Sequence, residues 1–149
     1  MMAVEHYDLD RRVFELLQVG AIQKEDFNAW QGAASGIADY VATWGLERFW
    51  SMSRSPVLKD GAMPDPREGD KDKQRRYFAW GVARIVLAEV AGAELGIRSD
   101  MTTHEFQKRL GQLTFNQQVL MSDLLITIAE TIQFWTMRLK DAERVGSDV

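Results

Sequence analysis

Cysteine is absent from the 149 residues, and histidine occurs only at His6 and His104. The first absence excludes a disulfide framework, a thiolate metal site and a cysteine nucleophile, and makes a reducing cytoplasm the expected compartment. The second leaves little for imidazole chemistry. His104-Glu105 begins like a zinc-protease helix, but four positions on stands Lys108, so the second ligand is missing. No Glu-x-x-His pair occurs for a di-iron bundle. Gly92 and Gly96 lack the Lys-Ser/Thr that completes a phosphate loop. No strand-turn-helix elbow is present to hold a nucleophilic serine. Carboxylates such as Glu130 suit solvated or paired positions. The expectation is a chain without catalytic activity, metal or cofactor.

Other shortages narrow the class. No stretch approaches 18 uninterrupted apolar residues, so no membrane span is expected. Met1 to Asp10 holds acids where a signal peptide would have a basic start and an apolar run. Proline occurs three times, at Pro56, Pro64 and Pro66, all between Ser53 and Asp70. With Gly61 and Gly69 this stretch is a long loop, expected to be mobile and the first site of proteolytic nicking. No segment alternates polar and β-branched residues beyond a few positions, and no repeat or low-complexity tract appears.

What is present is helical periodicity. The composition, 46% hydrophobic and 27% charged, is that of an ordinary soluble single domain. Five helices are predicted, giving an all-α bundle. The first runs from about Leu9 to Val19, with Val13, Phe14, Leu16 and Leu17 as its apolar face and Gly20 as its end. The second covers about Lys24 to Met52, weakened by Gly32, Gly36 and Gly45; Gly32 and Gly36 share a face that would admit a neighbouring helix closely. The third spans about Lys71 to Leu95, with Tyr77, Phe78, Ile85, Val86 and Val90 inside. Thr102 and Glu105 form a capping-box pattern opening a short fourth helix to about Leu110.

The fifth, Phe115 to Arg144, is free of Pro and Gly. Its apolar residues Phe115, Val119, Leu120, Leu124, Leu125, Ile128, Ile132, Trp135 and Leu139 follow the spacing of one helical face. Such a helix would be roughly 45 Å long, a spine for shorter helices. Five tryptophans imply a core built around large rings, with one free to meet a partner. The periodicity buries Trp30, Trp44, Phe49, Phe78, Ile85, Leu125, Ile128 and Phe134.

Charge is uneven. The net charge is −4, with 8 acids against 4 bases in the first fifty residues. The densest basic run, Lys71-Asp72-Lys73-Gln74-Arg75-Arg76, opens the third helix. It either follows a phosphate backbone or solubilises a helix start.

The stretch Tyr40-Val-Ala-Thr-Trp-Gly-Leu-Glu-Arg-Phe-Trp-Ser-Met52 resembles a helix of the small all-α subunit of the type III-B CRISPR effector, the Cmr complex. That family shows Thr-Asn-Gly-Leu-Gly there; Thr43, Gly45 and Leu46 match, and Trp44, Glu47 and Arg48 depart. Thr127 to Glu143 is similar to the family's last helix at Glu130, Phe134, Lys140, Ala142 and Glu143. The family's Lys falls on Leu139, beside Arg138. About a third of the chain is covered.

The resemblance implies a non-catalytic spacer that stacks with copies of itself and other effector subunits, alongside the guide RNA paired with target RNA. The implied backbone-binding residues are Lys71, Lys73, Arg75, Arg76 and Arg84 on the third helix, with Arg48, Arg138 and Lys140 from the matching segments. No membrane partner is implied. The opposing reading is an acidic helical adaptor, phage or bacterial, that binds protein and no nucleic acid, with its tryptophans and acidic half as contact surface. A third, a small helical enzyme, needs a deep polar pocket that the residues do not announce.

Overall fold

The computed structural model describes residues 6–20, 27–53 and 71–145, with side chains described over 8–18, 30–53 and 78–142. Five helices follow one another: α1 (His6–Gly20), α2 (Phe27–Ser53), α3 (Lys71–Leu95), α4 (Thr103–Leu110) and α5 (Phe115–Val145). No strand occurs among the described residues. The chain is all-α. From residue 54 onward the Ser53–Asp70 loop lies outside the described residues, whereas Ser53 is the fully buried last residue of α2.

α5 packs mainly on α2 and also on α1 and α3; α3 in turn touches α1 and α2, and α4 rests against α2. α5 contributes Met121, Leu125, Ile128 and Ile132 to the core, and α1 contributes Leu9, Val13, Leu16 and Leu17. Full burial of one such Leu or Ile is worth about 1.5–3 kcal/mol. α3 is the enclosed element. Every residue from Phe78 to Ala88 is buried, so this helix has no solvent face over three turns.

Rings join the layers. Trp30 stacks on Phe78 at 4.4 Å, and Phe49 on Trp80 at 5.2 Å. Two buried indole N–H groups find carbonyls: Trp80 Nε1 donates to Ala33 O at 2.8 Å, Trp50 Nε1 to Met101 O at 3.0 Å.

The helix ends follow capping chemistry. Thr102 accepts from the Glu105 backbone N–H while the Glu105 side chain accepts from Thr102 N–H, the reciprocal box expected from sequence. Those bonds from Thr102 hold the Glu105 carboxyl below its ordinary value. Because the folded value is the lower one, this contribution is present above the ordinary carboxylate range and fades as pH falls through the depressed value. α5 starts with the same device, Thr114 exchanging bonds with Gln117. α3 ends at Gly96, whose φ of 68° lets its N–H reach Gly92 O at 2.9 Å, while Arg109 Nε donates to Leu95 O at 2.7 Å.

Several expectations are corrected. α2 is not one continuous helix: Gly45 has φ 87° and ψ 171°, a conformation essentially reserved for glycine, and it breaks the helix into two pieces. Trp44, at that break, is 51% exposed instead of buried. Phe134 is 54% exposed, because it lies two residues, about 200°, round the helix from buried Ile132. The stripe on α5 likewise splits, with Phe115 78% and Val119 41% exposed, while Met121 and Leu125 turn inward. Gly32 and Gly36 do not admit a neighbouring helix, since nothing comes within 4 Å of a Cβ placed at either. No described helix is long and apolar enough to cross a membrane.

The two glycine environments predict opposite signs. Gly45→Ala should cost about 1–3 kcal/mol through its backbone angles alone, lowering the melting temperature by roughly 3–10 °C. Gly32→Ala, in regular helix with open space around it, should stabilise by up to about 1 kcal/mol. Thermal unfolding followed by circular dichroism reads both; a Gly45→Ala protein as stable as wild type would mean that the break is not obligatory.

Candidate functional site

Of the residues expected to hold an RNA backbone, those whose side chains are described do not share one face. Lys71, Lys73, Arg75 and Arg76 fall in the first turns of α3, and their side chains lie outside the described set. Arg48 is exposed, its guanidinium lying 4.4 Å over the Trp44 ring. Arg138 is exposed and Lys140 half-buried near the end of α5. At about 1.5 Å per residue, Arg138 is about 28 Å along the helix from Val119, at whose end of α5 α2 carries Arg48.

Arg84 is a correction. It is 0% exposed and cannot meet a phosphate. α3 is enclosed all round at this point, so an arginine there must bond to the interior. Its Nε donates to Ser99 O at 2.9 Å, Nη1 to Trp50 O at 2.9 Å and to Ser53 Oγ at 3.4 Å, and Nη2 to Met101 O. Its guanidinium also lies 3.9 Å from the Trp50 ring, which stacks on Phe106 at 4.3 Å with planes 7° apart. Trp50 O belongs to the last turn of α2, where carbonyls lack intrahelical donors and a cation is favoured. Arg84 therefore acts as the C-terminal cap of α2 and as a tie to the α3–α4 connection.

The surface feature that the geometry does build lies at the break in α2. A depression of about 350 Å³ is walled by Val41, Trp44, Gly45, Leu46 and Glu47 on one side and by Phe115, Gln118, Val119 and Ser122 on the other, with Leu110 between them. Three of the exposed large hydrophobic side chains, Trp44, Phe115 and Val119, line it together. The turn at Gly45 presents Trp44, and the start of α5 presents Phe115. A signal for this site was present in the sequence. Tyr40–Leu46 and Gly111–Ser122 contain no charged residue, in a chain that is 27% charged. Charge depletion around aromatic residues marks the centre of protein interfaces.

Elsewhere on the described surface three arginines are engaged by acids. Arg12 is held by Glu89 at 2.7 Å and by Glu15, Arg11 lies 3.9 Å from Asp8, and Arg98 pairs with Asp100 and Glu105. The hydrogen bonds that Arg12 donates to Glu89 raise the Arg12 value above its ordinary one. No cluster of His, Asp and Glu fit to hold a metal ion occurs among the described residues. No family model, curated protein or solved structure matches the chain.

The environment of Arg84 gives a test of its role. Replacing it with Met should take the Arg84 donor from the carbonyl of Ser99 and leave those of Trp50 and Met101 with Ser53 Oγ and Trp50 Nε1 alone, at a cost of at least about 2 kcal/mol in urea unfolding. Arg84→Lys should recover little, because a point ammonium cannot serve a planar fork of donors. A surface arginine would cost under about 0.5 kcal/mol, and a loss that small would return Arg84 to the exterior.

Proposed function

We propose that this chain is a non-catalytic helical adaptor that binds protein through the depression between the α2 break and the start of α5. The single observation that carries this reading is the convergence of Trp44, Phe115 and Val119, exposed and uncharged, on one concave surface. Their exposed apolar area is roughly 350 Å², the size of patch that marks interaction sites on otherwise polar proteins. The glycine-only backbone at Gly45 supports it, since strain of this kind is commonly kept where it aims a functional side chain. A polyanion would meet a single cation here, Arg48 at the groove's edge, too few to follow a phosphate backbone, so the occupant of the groove is protein.

A second reading, the small subunit of an RNA-guided effector, draws on one observation: α3 spans Lys71–Leu95, so the whole basic run Lys71–Arg76 lies within one helix. In that reading base pairing supplies specificity, and Lys71, Lys73, Arg75 and Arg76 follow the phosphates, with Arg48, Arg138 and Lys140 as outlying contacts. The loss of Arg84 and the distance between Arg48 and Arg138 count against it.

A photo-crosslinking side chain at position 119, with exposed Glu130 as control position, separates the two in cells. The adaptor reading expects protein adducts from position 119 and few from position 130. Nuclease-sensitive adducts at 119, or equal protein yields at both positions, would defeat it. Charge reversal of Arg75 and Arg76 to Glu tests the second reading directly. If these residues touch RNA, affinity falls and the salt slope drops by about 0.7 to 0.9 per lost contact; an unchanged slope removes them.

A further inference from the structure

The groove carries a more specific inference, one that rests on the adaptor reading: we propose that its occupant is a second copy of this chain, docked about a two-fold axis through the Trp44–Phe115–Val119 patch. A two-fold interface uses the same patch on both partners, so the patch must be complementary to itself. Its composition meets that condition. The centre is apolar and uncharged, Tyr40–Leu46 and Gly111–Ser122 carrying no charge of either sign. At its edge stand two adjacent residues of opposite sign, Glu47, which lines the groove, and Arg48, whose guanidinium lies 4.4 Å over the Trp44 ring.

A two-fold operation that brings two such edges together in antiparallel sense sets Glu47 of each copy against Arg48 of the other. Both side chains are already held in place. Glu47 Oε2 accepts from Gln107 Nε2 at 3.3 Å, and Arg48 is flattened on the indole. Pairing then orders little that is free.

Area and charge agree. A stable interface covers about 800 Å² per partner, of which about two-thirds is apolar between identical chains. The exposed parts of Trp44 (51%), Phe115 (78%) and Val119 (41%) supply roughly 350 Å² of the roughly 500 Å² required. Neighbouring Ala42 and Thr43 are exposed beside them and extend the apolar area. Each copy has net charge −4, so two copies repel over most of their surface. The groove is where that repulsion is least, because its walls are neutral and its edge charges cancel. A partner rich in cations would find only Glu47, and a polyanion only Arg48 at the edge; an identical chain finds its own complement.

Sedimentation equilibrium of the purified full chain, at low ionic strength over a wide concentration range, reads the outcome. Wild type should pass from 17.0 kDa towards twice that mass as concentration rises. Phe115→Arg and Val119→Arg, both at exposed positions, should remain monomeric while keeping the wild-type helical spectrum. The edge charges give a second and more specific arm. Glu47→Arg and Arg48→Glu should each weaken the dimer at least tenfold. An equimolar mixture of the two variants should form a heterodimer, since the reversed edges match again.

Dimers that survive Phe115→Arg, or variants that fail to pair when mixed, would place any self-association on another face and overturn the proposal. Wild type that stays at 17.0 kDa throughout would overturn it as well. In that last case, crosslinks from position 119 to other proteins would leave the adaptor reading standing. Their absence would remove both.

Discussion

The fold hangs on a buried arginine. Arg84 reaches from the enclosed middle of α3 to carbonyls at the end of α2 and in the α3–α4 connection. A guanidinium with no access to water is costly unless its donors are met, and here oxygen acceptors and the Trp50 ring meet them. The same contacts serve α2: the Trp50 carbonyl in its last turn, which accepts from Ser53 Oγ, receives a charged donor as well. This tie holds the second piece of α2 against α3, and Trp50 stacked on Phe106 then fixes α4. Without it, the short piece from Leu46 to Ser53 would be oriented by its apolar face and two single hydrogen bonds, Trp50 Nε1 to Met101 O and Gln107 Nε2 to Glu47.

That orientation decides the groove. The break at Gly45 lets α2 change direction, but a break alone gives freedom and no direction. Arg84 fixes the far end of the short piece, and α4 touches it through Gln107 and Glu47. Trp44 is thereby left at the corner, facing the start of α5, whose first turn is set by the Thr114–Gln117 box. A buried cation, a strained glycine and a capped helix start together place three apolar side chains in one depression. The groove is built by the core, which favours a preformed binding surface over one assembled on contact.

Helix positions were legible because they rest on local rules. The Thr102–Glu105 box, Gly20, and the bounds of α3 follow from propensity and capping, which need no tertiary knowledge. Faces were less legible. Trp44 and Phe134 are large and apolar, and periodicity alone assigns them to the core; a break in one helix and a 200° offset in the other put them outside. Arg84 was misassigned for the opposite reason, a charge read as exposed by type. Its neighbours told otherwise: Phe78 to Ala88 holds no other charged residue, and a lone arginine inside an apolar run that covers every side of a helix belongs to the interior. Of the cationic set implied by resemblance, the described structure removes Arg84, occupies Arg48 with an indole and sets Arg138 far away. The groove itself was visible only as two charge-free stretches distant in sequence, whose meeting requires the fold.

Electrostatics gives the last step. A chain of net charge −4, with Arg11, Arg12 and Arg98 paired to neighbouring acids and Arg84 buried, presents little to attract a polyanion at long range. It also repels its own kind, and acidic proteins that must associate do so where charge is absent and apolar area is concentrated. Here those two conditions coincide at one place, on the one stretch of described backbone that only glycine can adopt within a helix. Selection for stability alone would replace Gly45 by an ordinary helix former and close the corner. On the proposed reading the glycine serves the corner it makes, whose uncharged, aromatic walls suit contact with another protein.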